Sequence, residues 1–214
     1  KYMEDIKSNI AIFIEKLCLF LIFIYLLFFI IKCISIAFTN LFSFDGAMNV
    51  QVAQNLLKNH LYATSYNGIT LFGENVQTGS PVILPVTILF MLFGEKFTSG
   101  LMVNAIYMIL LMISIIYYLK YCIKLPNIFI LSAIVLVIST PQIFTFGFGL
   151  YGEIPTLFYF LLSIIFLHFF ETNKQSKYLF ISGLSLGIGY LTKTVILISI
   201  PAFLFAMIFN WLLE

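Results

Sequence analysis

Nine carboxylates and eleven lysines are all the charge this chain carries. Two of the carboxylates stand where chemistry could use them. Asp45 follows a long apolar run almost directly, and Glu153 sits between Gly152 and Ile154, just before Pro155. A carboxylate beside hydrocarbon costs free energy and is a functional candidate for that reason. Such groups could take a proton from an attacking hydroxyl, or together hold a hard divalent cation. Lys193, between Thr192 and Thr194, could contact a phosphate with hydroxyls on either side. The basic residues are all lysines, so no site here can use a guanidinium fork. Thr192, Tyr151, Asn49 and Glu74 join Lys193 as candidate substrate contacts.

Each candidate also has a plain reading. Asp45 is placed to cap a helix, which needs only its side-chain oxygen. Glu153 could be a loop charge favoured by a following helix N-terminus. Glu95, next to Lys96, reads as a surface pair, and Glu74 as a solvated loop charge. Lys193 and Lys32 could be snorkelling lysines. His60 reads as surface and His168 as packing. Cys18, Cys33 and Cys122 have no metal-ligand spacing and read as packing residues.

Composition fixes the elements that must position these groups. Hydrophobic residues make up 62% of the 214, charged residues 9%, and mean hydropathy is +1.08. Soluble domains carry about 25% charged residues. A soluble enzyme, a disordered tail and a nucleic-acid-binding protein are therefore excluded, and the bilayer is the main solvent. The expected fold is all-α, a polytopic membrane bundle. Runs of about 20 apolar residues mark spans, read here at residues 17–38, 98–118, 127–146, 155–170, 177–191 and 195–213. The chain starts at Lys1 and stops at Glu214 just after an apolar run, and is expected to be part of a longer protein.

Residues 81–93 are too short for an ordinary span and contain Pro85. Lysines decide how to read them, because cytoplasmic loops collect basic residues. If 81–93 lies at the interface and the N-terminus is inside, seven loop lysines are inside and three outside; if it crosses, the split is five to five. The first arrangement is adopted. It makes residues 39–97 a long external loop with two interfacial helices, 45–57 and 81–93. In the first, Met48, Val52 and Leu56 form an apolar stripe while Asn49, Gln51 and Gln54 face away. The outer surface becomes a platform suited to a substrate with a lipid tail and a polar head. Gly147, Gly149 and Gly152 are expected to let the next outer loop reshape around a ligand. Gly183 and Gly187 give a GxxxG helix-packing face.

In order, FDGAMNVQVAQNLL (44–57), TGSPVILPVTILFMLFGEKF (78–97), GLYGEIPTLFYFLL (149–162) and FISGLSLGIGYLTKT (180–194) resemble the N-terminal portion of a GT-C fold glycosyltransferase. The nearest likeness is to the protein mannosyltransferase and aminoarabinose transferase group. The resemblance implies an enzyme that takes a sugar from a polyprenyl-phosphate carrier. The acceptor is a protein, lipid or glycan, on the outer face of what is expected to be a bacterial inner membrane. It maps the family's first-loop acid onto Asp45, its second acidic position onto Glu153, and its Leu-Thr-Lys run onto Leu191–Lys193. Gly46 stands where many members have a second acid, and Gly79-Ser80-Pro81 where members often have Lys-Pro-Pro.

On this reading Asp45 is the base or orients the acceptor, Glu153 helps it or binds a metal, and Lys193 contacts the phosphate. A divalent ion is allowed but not required. The alternative is a multi-span transporter or flippase, suggested by polar residues within spans, Asn104 and Gln142. Transporters often show internal repeats with broken helices at mid-membrane, and no repeat is present. A scaffold role would leave the external loop unexplained.

Overall fold

The computed structural model describes residues 2–39, 43–64, 70–71, 78–198, 201 and 205. Helices dominate it, because a segment in hydrocarbon must satisfy its own backbone N–H and C=O groups. The order is α1 (Tyr2–Ala37), α2 (Phe44–Asn59), β1 (Ala63–Thr64), β2 (Thr70–Leu71), α3 (Ser80–Phe93), α4 (Phe97–Tyr117), α5 (Asn127–Ser139), α6 (Pro141–Phe148), α7 (Glu153–Asn173) and α8 (Ser176–Thr192). A π turn at Tyr118–Cys122 ends α4, and a 3-10 turn at Thr194–Ile198 follows α8. Among the described residues, three stretches are long and apolar enough to cross a membrane: Asn9–Ala37, Thr98–Cys122 and Glu153–Asn173.

The sequence reading and the structure differ at several places. Residues 127–146 do not form one helix. Thr140 is extended, with φ −86° and ψ 105°, since a residue before proline is pushed out of the helical region. Pro141 then starts α6. Between α2 and α3 the chain also makes a short antiparallel pairing, Ala63 opposite Leu71 and Thr64 opposite Thr70. Most of the expected last span, 195–213, lies outside the described residues.

The core gathers around α4. Leu101, Ala105, Met108 and Met112 are buried there against Phe29 and Cys33 of α1, Val82, Ile83 and Val86 of α3, and Ile130 and Ile134 of α5. At the other side α7 and α8 form an antiparallel hairpin. Lys174 caps α7 in the left-handed conformation, φ 55°, and turns the chain. Ser182 donates to the Ser163 carbonyl at 2.8 Å, and the two hydroxyls lie 3.0 Å apart. Such hydroxyl contacts hold helices together where apolar surface gives no preference over lipid.

The hairpin corrects the reading of the GxxxG spacing. Among the described residues, Gly183 and Gly187 are exposed, and a Cβ at either would meet nothing within 4 Å. The packed face of α8 is Ser182, Ser185 and Gly189 instead. At the opposite end of the bundle, Lys120 bonds to the Asn127 side chain, whose amide donates to Glu15 O at 3.2 Å. This ties the α4–α5 turn to α1.

Candidate active site at the α7–α8 end

Four segments far apart in sequence meet at one end of the molecule: 43–49, 78–79, 149–153 and 192–193. The first contact is made by the start of α2. Ser43, not Asp45, is its N-cap: the Ser43 hydroxyl accepts from Gly46 N at 3.1 Å. The same hydroxyl donates to Gly149 O at 3.0 Å. One turn on, buried Asn49 donates its amide to Leu150 O at 2.8 Å. Gly46 permits the approach, since a Cβ there would stand 2.2 Å from Gly149 O. Leu150 itself is fully buried at φ 53°, a left-handed conformation unusual for leucine. Asn49 and Ser43 thus fix the turn that leads into Glu153.

The second contact joins α3 to α8. Gly79 N donates to Thr192 O at 2.9 Å. A Cβ on Gly79 would fall 1.6 Å from Leu191 O, so no other residue fits this crossing. Thr192 is fully buried, and its hydroxyl donates back to Ile188 O at 2.8 Å.

The third contact is ionic. Glu153 is the first residue of α7, where the helix dipole favours negative charge. Its Oε1 accepts from the Lys193 ammonium. The Lys193 side chain is only 14% exposed, so it is not a snorkelling lysine; its charge is held inside the protein by a carboxylate. Glu153 Oε2 is buried and has no hydrogen-bond partner.

A groove opens further along α7, at Phe158 and Tyr159. Pro85 lacks an N–H, so the carbonyl four residues back, Pro81 O, loses its helical donor. The Tyr107 hydroxyl supplies one at 3.0 Å, and the Tyr159 hydroxyl lies 3.1 Å from that of Tyr107. Around these tyrosines lies an almost wholly apolar groove of about 300 Å³ between α3, α4 and α7, walled by Ile88, Ile106, Leu110 and Phe158. Tyr159 also packs on α8, one turn before Lys193: a Cβ on Gly189 would sit 3.3 Å from Tyr159 Cβ, and Lys193 N donates to Gly189 O at 3.1 Å.

Asp45 lies in the first turn of α2 and is exposed. It makes no ion pair among the described residues. It shares the Gly46–Gly149 contact region through its neighbour, which brings it to the same end as Glu153. Tyr151 lays its ring against Gly149 and is half-buried. Glu74 lies outside the described residues. Glu95 pairs with Lys58 at 2.6 Å rather than with neighbouring Lys96. In the loop after α2, burial pushes the Tyr62 phenol up to about 12. Gly147, in α6, and Gly149 are closely packed: a Cβ on Gly147 would meet Met108 Sδ at 2.1 Å and one on Gly149 the Tyr151 ring at 1.9 Å.

Among the described residues, no three His, Cys, Asp or Glu side chains gather as a metal site would need. The Lys193 ammonium also occupies the place at Glu153 that a metal ion would take. The residues present therefore do not fit a divalent ion at Glu153. Asn104, one of the polar residues within a span, is accounted for by packing, since its amide donates to Gly147 O at 2.9 Å.

Sequence reasoning named Asp45, Glu153, Lys193 and Thr192 as candidates and did not name Ser43, Thr156 or the Tyr107–Tyr159 pair. Ser43 two residues before an acid was a legible cap signal. The freed carbonyl implied by Pro85 was a signal that some donor must face α3.

No curated protein and no solved structure matches the chain. The family described as dolichyl-phosphate-mannose-protein mannosyltransferase matches residues 81–214, which include α3, α4, α7, α8 and both members of the Glu153–Lys193 pair. That is more than half of the chain, and the protein is a membrane glycosyltransferase of the dolichyl-phosphate-mannose-protein mannosyltransferase family.

Proposed function

We propose that this chain transfers a sugar from a polyprenyl-phosphate donor to a protein, lipid or glycan acceptor at the extracytoplasmic face of its membrane, expected to be a bacterial inner membrane. The observation that carries this reading is the shielded Lys193 ammonium paired with the first residue of α7, with an apolar groove further along the same helix at Phe158 and Tyr159. A phosphate head with a prenyl tail could use those two features along one helix. An ammonium has three N–H donors, so Lys193 can keep Glu153 and still bind phosphate oxygens.

In the reaction, the acceptor hydroxyl oxygen bonds to the anomeric carbon as the bond from that carbon to the phosphate oxygen breaks. Asp45, exposed at the start of α2, takes the hydroxyl proton. Lys193 stabilises the charge left on the phosphate. Glu153 holds Lys193 in position. Tyr151, Asn49 and Thr192 shape the site, Asn49 through Leu150 O and Thr192 through Gly79 N.

The test uses the full-length protein in membranes. It is supplied with a panel of polyprenyl-phosphate sugars, and released polyprenyl phosphate is measured by mass spectrometry. Release is expected from at least one donor and is lost in Asp45→Asn. A well-folded protein that releases carrier from none of them overturns the reading and favours transport.

A further inference from the structure

Among the described residues, two buried polar atoms at the start of α7 have no hydrogen-bond partner: Glu153 Oε2 and Thr156 Oγ1. Native proteins leave few such groups, because each costs about 1–3 kcal/mol. The residues are three apart at the first turn of one helix and so share a face. Thr156 is also unlike the other helix hydroxyls nearby. Thr87, Ser185 and Thr192 donate to the carbonyl four residues back, at 2.9, 2.9 and 2.8 Å. Thr156 does not. The equivalent carbonyl, Gly152 O, accepts only the Thr156 backbone N–H, at 3.0 Å. One orphan is a pure acceptor, the other can donate and accept. A single alcohol placed between them would satisfy both, donating to Glu153 Oε2 and accepting from Thr156 Oγ1.

We infer that Glu153 Oε2 and Thr156 Oγ1 form a subsite for one hydroxyl of the donor sugar, the one on the carbon next to the anomeric carbon. The inference rests on the reading of Lys193 as the phosphate contact. Glu153 Oε1 bonds to Lys193, and Oε1 and Oε2 share one carbon. A phosphate on the ammonium therefore puts the anomeric carbon beside Oε2, and the neighbouring hydroxyl is the sugar group that reaches first. Glu153 is then a specificity residue as well as the group that positions Lys193. It selects for a hydroxyl because a donor lacking one leaves two buried groups unpaired, which discriminates far more strongly than a missing methylene.

The experiment compares three donors on the full-length protein: polyprenyl-phosphate mannose, polyprenyl-phosphate glucose, and the single 2-deoxy donor that lacks the hydroxyl in which they differ. Wild type is expected to prefer a hydroxylated donor to the 2-deoxy donor by tenfold or more in kcat/KM, about the effect of one buried hydrogen bond to a charged group. That ratio should fall toward one in Thr156→Val, and also in Glu153→Gln. Thr156→Val removes a hydroxyl with no partner, so its thermal stability should hold or rise. A wild-type ratio near one, or a ratio unchanged in both variants, overturns the subsite and leaves the niche to a bound water. Loss of activity that is equal on hydroxylated and 2-deoxy donors, with the ratio intact, also overturns it, because that is what a structural role would give. Absence of carrier release from every donor is a separate failure, of the transfer reading itself.

Discussion

Tyr107 of α4 donates its hydroxyl hydrogen to Pro81 O of α3 at 3.0 Å, replacing the donor that Pro85 cannot provide. Because a phenol has one hydrogen, the 3.1 Å contact between the two tyrosines must be Tyr159 donating to Tyr107. A proline in one helix has thus fixed the partner of a tyrosine in the next, and the pair floors the apolar groove.

This relationship predicts a rescue. Tyr107→Phe should lower the stability of the detergent-solubilised protein by about 1–3 kcal/mol, since it orphans a buried carbonyl. Adding Pro85→Ala returns an N–H to the helix and should recover most of that loss. Thermal unfolding of the single and double variants checks it; additive losses would mean that the Tyr107 bond does not serve the Pro81 carbonyl.

The Glu153–Lys193 pair makes its two members unequal. Lys193→Met should abolish most carrier release, by about a hundredfold or more, because both the phosphate contact and the neutralisation of Glu153 go together. Glu153→Gln keeps the ammonium and should act more mildly, raising donor KM as Lys193 loses its fixed position. Steady-state kinetics on the full-length protein separate the two; a larger effect from Glu153→Gln than from Lys193→Met would reverse the roles.

Two glycines carry the assembly of the site. Gly46→Ala and Gly79→Ala put a Cβ 2.2 Å and 1.6 Å from backbone carbonyl oxygens, and backbone yields less readily than a side chain. Each should cost at least about 1–3 kcal/mol, seen as a lowered unfolding temperature and poor yield. Ser43→Ala, which removes the cap of α2, should cost about 1 kcal/mol. A Gly79→Ala protein as stable as wild type would show that α3 does not cross α8 this closely.

The groove predicts a dependence on carrier length. Leu110→Trp fills it from α4 without touching Glu153 or Lys193. Donors with long prenyl chains should lose affinity, with KM up about tenfold or more, while short-chain donors should change little. Equal effects on both would place the lipid tail elsewhere.

How much of this was legible in the sequence follows from what each property depends on. With 62% hydrophobic residues and twenty charges, the chain has hydrocarbon as its solvent, and helices are the structures that satisfy their backbone there. Some helix starts followed from proline, as at Asn127 after Pro126, but the break at Thr140–Pro141, the Ser43 cap and the start of α7 at Glu153 were not read from the sequence. The Leu191–Lys193 run and the acidic positions marked candidates by resemblance. Where candidates meet is another matter. One apolar helix is nearly interchangeable with another by composition, so nothing local says which faces which.

Tertiary packing paired Glu153 with Lys193 across forty residues, while Asp45 makes no ion pair among the described residues. Packing also set Gly46 against Gly149 and turned Asn49 to the Leu150 carbonyl. Against α7 it buried the serine face of α8 rather than the GxxxG face, because Ser163 offers Ser182 a partner and no described residue faces Gly183 or Gly187. Sequence determined the solvent, the helices and the groups able to do chemistry. Close approach of backbones, possible only at a few glycines, decided which of those groups share a site.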